Sequence, residues 1–263
     1  MKDLSLPLAV QLRMDVLHGE YAELNSRWNA ANIISPYTRV YLVTAGCGFL
    51  KDPNTTLPLS PGYIYVIPAG LKTAFGCNTF LNKTYFHLSI PLPNGNDLME
   101  NLHTCLMFQD CAAVEEITGC VKNPTAKHLL RIQAFLYDLV FKCLSNMEDV
   151  EIESYSDYIS AAIKYIDKNL SATLTLPMIA EALSTSSEKL RKTFRAETGI
   201  SLGKYIDNRI MRKAVLELQK GQHSIKEISD KLGFCDQFYF SRCFTKRFGM
   251  PPRVYAGYEK RSL

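Results

Sequence analysis

The residues best equipped for chemistry lie in LGFCDQFYFSRCFTKRFGMPP, Leu232 to Pro252, where Phe234, Phe238, Tyr239, Phe240, Phe244 and Phe248 interleave with Arg242, Lys246 and Arg247. At about 100° per residue, Phe240, Cys243, Phe244 and Arg247 share one side of a helix, while Phe238, Ser241, Arg242 and Thr245 share the other. One face is oily. The opposite face carries a guanidinium, two hydroxyls and a large aromatic, a set suited to the edges of base pairs. Arg242 can bond guanine bidentately, Gln237 on the first turn can do the same for adenine, and Phe238 can press on a thymine methyl. A second such face occurs earlier, in SSEKLRKTFRAETG. There Leu190 and Phe194 turn inward, and Glu188, Arg191, Lys192 and Arg195 take the other side. Glu188 suits the amino group of cytosine, but it can equally repel the phosphate backbone. Any one of these positions reads equally well as a solvated helix face; the two faces together do not.

Both stretches need elements that hold them still. Asp236 is a good N-cap for the later helix, and Gly249 with Pro251 and Pro252 stops it. Ser186 or Ser187 caps the earlier one. The two regions are also copies of each other. Ile179 and Leu183 match Ile228 and Leu232 at an offset of 49, and Leu190, Phe194, Gly199 and Tyr205 match Phe240, Phe244, Gly249 and Tyr255 at an offset of 50. The one extra residue falls in the turn. Each half is therefore a short helix, a tight turn and a second helix ending at glycine, over about 175–198 and 224–248. Between them, residues 201–221 repeat as a single long helix through Tyr205, Ile206, Ile210, Ala214, Val215 and Leu218. Helix, turn, helix is the unit of a major-groove reader.

These residues carry a resemblance. Gly233-Phe234, Phe240-Ser241-Arg242-Cys243-Phe244 and Phe248-Gly249-Met250-Pro251-Pro252 resemble the signature of the AraC/XylS family of bacterial transcription regulators, and the first half is similar to that family's other helix-turn-helix. Roughly 100 residues are covered. The resemblance implies two reading helices joined by a linker helix and entering adjacent major-groove segments. It carries base-reading roles to Glu188, Arg191, Lys192, Gln237, Phe238, Ser241 and Arg242, with Arg195 and Thr245 beside them as DNA-binding candidates. It implies double-stranded promoter DNA as partner and brings RNA polymerase into reach. One departure is Ala256 after Tyr255, where the family commonly has arginine.

Upstream, from about residue 8 to 92, the runs TRVYLVTAG, YIYVIPAG and TYFHLSI with turn punctuation predict an all-β unit. YLVTAGCGFLKDPNTTLPLSPGYIYVIPAG resembles the cupin-like ligand domains that often precede such DNA-binding regions. The expected fold class is thus α+β in two domains: a cupin-like β-barrel or jelly roll with following helices over 1–148, a linker at 149–156, and an all-α domain over 157–263. Alternation puts Arg39 and Tyr41 on one strand face and His87 on one face of a later strand. With Trp28 they are the candidate ligand-binding residues, suited to a sugar, though residues of these types at such positions are more often part of a core. His87 lacks the companion ligands of the cupin metal pattern, so neither a metal nor another cofactor is expected. The helix 125–146, with Leu129, Ile132, Leu136, Leu139 and Cys143 in one stripe, is wide enough to cover the β unit and also to meet a copy of itself; packing within one chain fits the pattern equally well, and a homodimer is the expected assembly.

Charge separates the halves. Residues 1–150 hold 11 Lys and Arg against 13 Asp and Glu, while 151–263 hold 19 against 13. The positive excess sits where an anionic partner is expected. No run of about 18 apolar residues occurs, and the eight cysteines show no CxxC framework. A cytoplasmic protein with reduced thiols and no membrane partner is the expectation. No nucleophile triad, phosphate loop or paired catalytic carboxylates stand out. The functional expectation is a regulator that binds promoter DNA and answers to a small metabolite such as a sugar. A DNA-binding regulator without an effector is the alternative, and a cupin-type enzyme fused to a helical domain is a weaker one.

Overall fold

A computed structural model describes residues 13–92, 96–145 and 155–261. The N-terminal part holds nine strands among these residues: β1 (Asp15–Asn25), β2 (Asn29–Ile34), β3 (Thr38–Gly46), β4 (Gly48–Lys51), β5 (Thr56–Leu59), β6 (Tyr63–Ile67), β7 (Lys72–Gly76), β8 (Phe80–Ser89) and β9 (Leu106–Gln109). They form two antiparallel sheets, β1-β8-β3-β6-β9 and β2-β7-β4-β5. The expected barrel is therefore not closed. The chain changes sheet between β3 and β4 at Gly46, whose φ of 77° is open to glycine at no steric cost.

Alternation explains the layering. In β3 and β8 most residues are buried, because both faces of this sheet are covered. Val40, Leu42, Phe86 and Leu88 face α1 (Cys111–Lys122) and α2 (Ala126–Leu144), while Tyr41, Val43 and Tyr85 face the second sheet. α2 departs from the expected stripe. Ile132, Phe135, Leu136, Leu139, Val140 and Cys143 are buried, but Leu129 is exposed, as are Leu130, Tyr137 and Phe141. α1 and the sheet cover only one side of the helix, so the second oily side stays in solvent.

The C-terminal part is helical: α3 (Asp157–Lys168), α4 (Leu176–Ala182), α5 (Ser187–Thr198), α6 (Leu202–Lys220), α7 (Ile225–Lys231), α8 (Gln237–Phe248) and α9 (Pro252–Arg261). The internal copy is visible residue by residue. Ile179 and Ile228, Leu190 and Phe240, Phe194 and Phe244, and Tyr205 and Tyr255 are all buried at matching places, and Gly199 and Gly249 both end the second helix of their pair in the left-handed region. The turns match too: Ser184 has φ 51° where Gly233 has φ 77°. Most of the linker expected at 149–156 lies outside the described residues.

The two parts meet along α6 and the second helix pair. Arg212 pairs with Glu100 at 3.4 Å, Gln219 bonds His87 at 3.2 Å, and the Tyr255 hydroxyl lies 3.4 Å from those of Ser35 and Tyr37. Asp97, fully buried beside this seam, accepts from Ser89 Oγ and the amides of Ile90 and Met99. Burial pushes its carboxyl up to about 6, against the opposing pull of Arg212 and these hydrogen bonds.

Candidate nucleic-acid interface and sensor interior

The second helix of each pair, α5 and α8, is started by the cap its sequence supplies. Ser186 accepts from the Lys189 amide, and Asp236 accepts from the amides of Phe238 and Tyr239, which holds its carboxyl below the usual range. Leu190 and Phe194, and Phe240, Phe244 and Phe248, are buried and anchor the inner faces. The outer faces carry the expected residues: Glu188, Arg191, Lys192, Arg195, Phe238 and Arg242 are exposed, and Gln237, Ser241 and Thr245 are partly so. The helix joining the two units has 19 residues, about 28 Å of rod at 1.5 Å per residue. That is comparable with one turn of duplex, about 34 Å.

Finer contacts distinguish the two faces. On α5, Glu188 accepts from Arg191 at 2.9 Å and pairs with Lys192 at 3.3 Å, and both cations hold its carboxyl below the usual range. In the free protein this glutamate thus occupies the donors beside it. On α8, Ser241 and Thr245 donate their hydroxyl protons to the carbonyls of Gln237 and Ser241, both at 2.7 Å, so toward a partner they offer lone pairs. Tyr239, which the sequence reading left unassigned, is exposed, and the Arg242 guanidinium lies 5.7 Å from its ring centroid. Helical spacing placed it between the two faces, which is why periodicity alone did not select it.

The ligand candidates Trp28, Arg39, Tyr41 and His87 are brought together, all buried on the inner side of the two-sheet unit. Register does this, pairing Arg39 with His87 and Tyr41 with Tyr85 across β3 and β8. Lys83 joins them. Only 1% exposed, its ammonium lies 3.2 Å from the Tyr41 ring centroid and 4.2 Å from that of Trp28. Extending the alternation Ser89, His87, Tyr85 by one step reaches Lys83, so the signal was present. The Arg39 guanidinium stands over Phe75 at 5.3 Å and donates to Ser35, and Tyr37 stacks on His87 at 4.5 Å. Burial, with Arg39, His18 and Lys83 nearby, drives His87 well below the ordinary histidine range, so its ring is neutral. A neutral ring lets Nδ1 accept from the Gln219 amide. Trp28 Nε1 and Thr73 Oγ1 are buried with no hydrogen-bond partner among the described residues.

Among the described residues no three His, Cys, Asp or Glu side chains gather as a metal would need, and no helix is long and apolar enough to cross a membrane. The eight cysteines are free.

Known proteins are similar to this chain in part or over most of its length. Residues 179–257 match a family profile described as a helix-turn-helix domain. The lactose operon transcription activator of Staphylococcus xylosus is 22% identical over 233 residues, 82% of each chain. The multiple antibiotic resistance protein MarA of Escherichia coli (strain K12) is 32% identical over 97 residues, 37% of this chain and 76% of MarA. In fold, the chain is similar to ToxT from Vibrio cholerae O395, with a TM-score of 0.57 at 14% identity over 92% of this chain and 97% of ToxT. ToxT from strain SCE256 with an unsaturated fatty acid bound gives 0.55 at 15% identity, over 91% and 94%. That likeness covers both a β-rich N-terminal domain and a helical C-terminal domain.

Proposed function

Because the chain belongs to the AraC/XylS family of transcription regulators and binds DNA through its helix-turn-helix domain, we propose that it reads promoter DNA with α5 and α8 together and is controlled by a small molecule held in the β-rich domain. The observation that carries the reading is the paired geometry: two units with matching buried anchors and matching left-handed glycines, held by one rigid helix. Glu188, Arg191, Lys192 and Arg195 meet one major-groove segment, and Gln237, Phe238, Ser241, Arg242 and Thr245 meet the next. Phosphate contacts come from the positive excess of this half.

The effector site is the interior around Trp28, Arg39, Tyr41 and His87, extended by Lys83. Its aromatic walls suit a sugar, as in the carbohydrate reading of the sequence, and the lactose operon relative supports that class. Arg39 and Lys83 favour a metabolite that also bears an acid group, and the fatty acid of ToxT is another acid held by this fold. An effector shifts the protein only by preferring one of two states. The states proposed differ in how α6 is held, through Gln219 and Arg212, against the β-rich domain. A homodimer through the exposed face of α2 (Leu130, Tyr137, Phe141) would present two such readers to an operator, beside RNA polymerase.

The test is footprinting on the promoter next to the gene, with and without a panel of sugars and sugar acids. Two protected segments about one duplex turn apart are expected, with occupancy changed by one member of the panel. A single short protected segment overturns the paired reading.

A further inference from the structure

The two halves of the helical domain differ most where they are copies. At the offset of 50 that aligns their second helices, Phe238, Ser241, Arg242 and Thr245 of α8 stand where Glu188, Arg191, Lys192 and Arg195 stand in α5. At these positions α5 is wholly charged, whereas α8 has a phenyl ring in place of the carboxylate and keeps a single cation. Phe238 is 69% exposed, so its ring contributes little to the core. The adjacent ring of Tyr239 is engaged within the helix pair: it lies 6.0 Å from the Phe234 ring and 5.7 Å from the Arg242 guanidinium. Phe238 is thus the apolar group that α8 turns outward.

Among the groups that base edges present in the major groove, the methyl on C5 of thymine is the apolar one. A cytosine methylated at C5 carries the same methyl at the same place on the ring. We propose that Phe238 recognises a pyrimidine 5-methyl group whichever base bears it, so that 5-methylcytosine satisfies α8 as thymine does and methylation of one cytosine in the bound sequence raises occupancy. This rests on the reading of α8 as a major-groove helix. It adds to that reading an input written on the DNA, separate from any effector held in the β-rich domain.

The side chains around Phe238 suit such a base. Arg242 is four residues on and therefore its neighbour on the helix surface. A methyl contact is thereby set beside a guanine contact, and guanine is the partner of 5-methylcytosine in its own base pair. Ser241 gives its proton to the Gln237 carbonyl at 2.7 Å, so its oxygen is an acceptor toward the groove. That oxygen takes an amino group, either the one on C4 of cytosine beside the methylated carbon or the one on the adenine opposite thymine. At the matching place in α5, Glu188 holds Arg191 and Lys192, and a carboxylate gains nothing from a methyl group.

The experiment selects a tightly bound duplex from an unmethylated random pool with the full chain, then exchanges each thymine singly for uracil, which removes the methyl alone. Fluorescence anisotropy should find a thymine whose exchange weakens binding about fourfold, the worth of one buried methyl group. With that pair replaced by C·G, methylating the cytosine at C5 should strengthen binding by a similar factor. Phe238→Ser, at an exposed position, should melt like the parent and bind each methylated and unmethylated pair of duplexes equally. Indifference to every thymine exchange, equal binding of cytosine and 5-methylcytosine, or a methyl preference that survives Phe238→Ser overturns the proposal and leaves the reading of DNA standing. A pool that yields no enriched sequence overturns both.

Discussion

The Gln219 side-chain nitrogen lies 3.2 Å from Nδ1 of His87, so the helix that spaces the two readers touches the same imidazole that Tyr37 covers inside the β-rich domain. Gln219→Ala removes that donor from a buried acceptor. The expected cost is about 1 kcal/mol of stability, together with a smaller effector-induced change in DNA affinity. Paired DNA titrations with and without effector check this. An unchanged effector response would show that the contact does not carry the coupling.

His87 also makes stability depend on pH. Its folded pKa lies well below the ordinary 6.5, so the unfolded chain takes up the proton first and the stabilising contribution, complete above pH 6.5, is lost as pH falls below it. The slope in that window is at most about 1.4 kcal/mol per pH unit. Asp97, raised to about 6, acts in the opposite sense: the folded state binds its proton more tightly, and stability rises as pH falls from about 6 toward 3.8. Comparing His87→Gln with the parent by urea unfolding between pH 5 and 7 (roughly the window set by these two groups) isolates the histidine. The variant should lose less stability on acidification.

On α8, Arg242→Ala should weaken specific DNA binding by about 1–3 kcal/mol and relax preference at one base pair. On α5 the expectation reverses sign. Glu188→Gln releases Arg191 and Lys192 from the carboxylate they now hold, so binding to unrelated duplex should tighten and its dependence on salt should steepen. Fluorescence anisotropy at several salt concentrations reads both.

The exposed face of α2 gives a test of assembly. Phe141 is 69% exposed and shares a side of the helix with Leu130 and Tyr137. Phe141→Glu should shift sedimentation from dimer to monomer while leaving the melting temperature close to that of the parent, since this side chain packs against little within its own chain. A parent that sediments as a monomer at all concentrations removes the dimer from the proposal.

The internal copy can be tested at its turns. Gly233→Ala forces a side chain into the left-handed region and toward Ser171, at a cost of about 1–2 kcal/mol. Ser184→Gly, at the matching turn, should relieve strain and raise stability by about 1 kcal/mol. Opposite signs in thermal unfolding are expected if the two turns are equivalent.

Periodicity in the sequence by itself determined the helical half. A 3.6-residue pattern with glycines at fixed offsets leaves one way to bury Leu190, Phe194, Phe240 and Phe244, so the caps, the reading faces and the long rod between them follow from local rules. The β-rich half was legible as strands, and as the candidates Trp28, Arg39, Tyr41 and His87, because alternation is also local. What pairs with what is not local. Only the tertiary structure decided that the strands make two sheets instead of a closed barrel, that the Trp28 and Tyr41 rings close around the Lys83 ammonium, and that Leu129 stays in solvent. The same holds for Gln219 reaching His87 and for Tyr255 reaching Tyr37. Those contacts join residues more than a hundred positions apart, and no periodicity along the chain encodes a meeting between two separately folded faces.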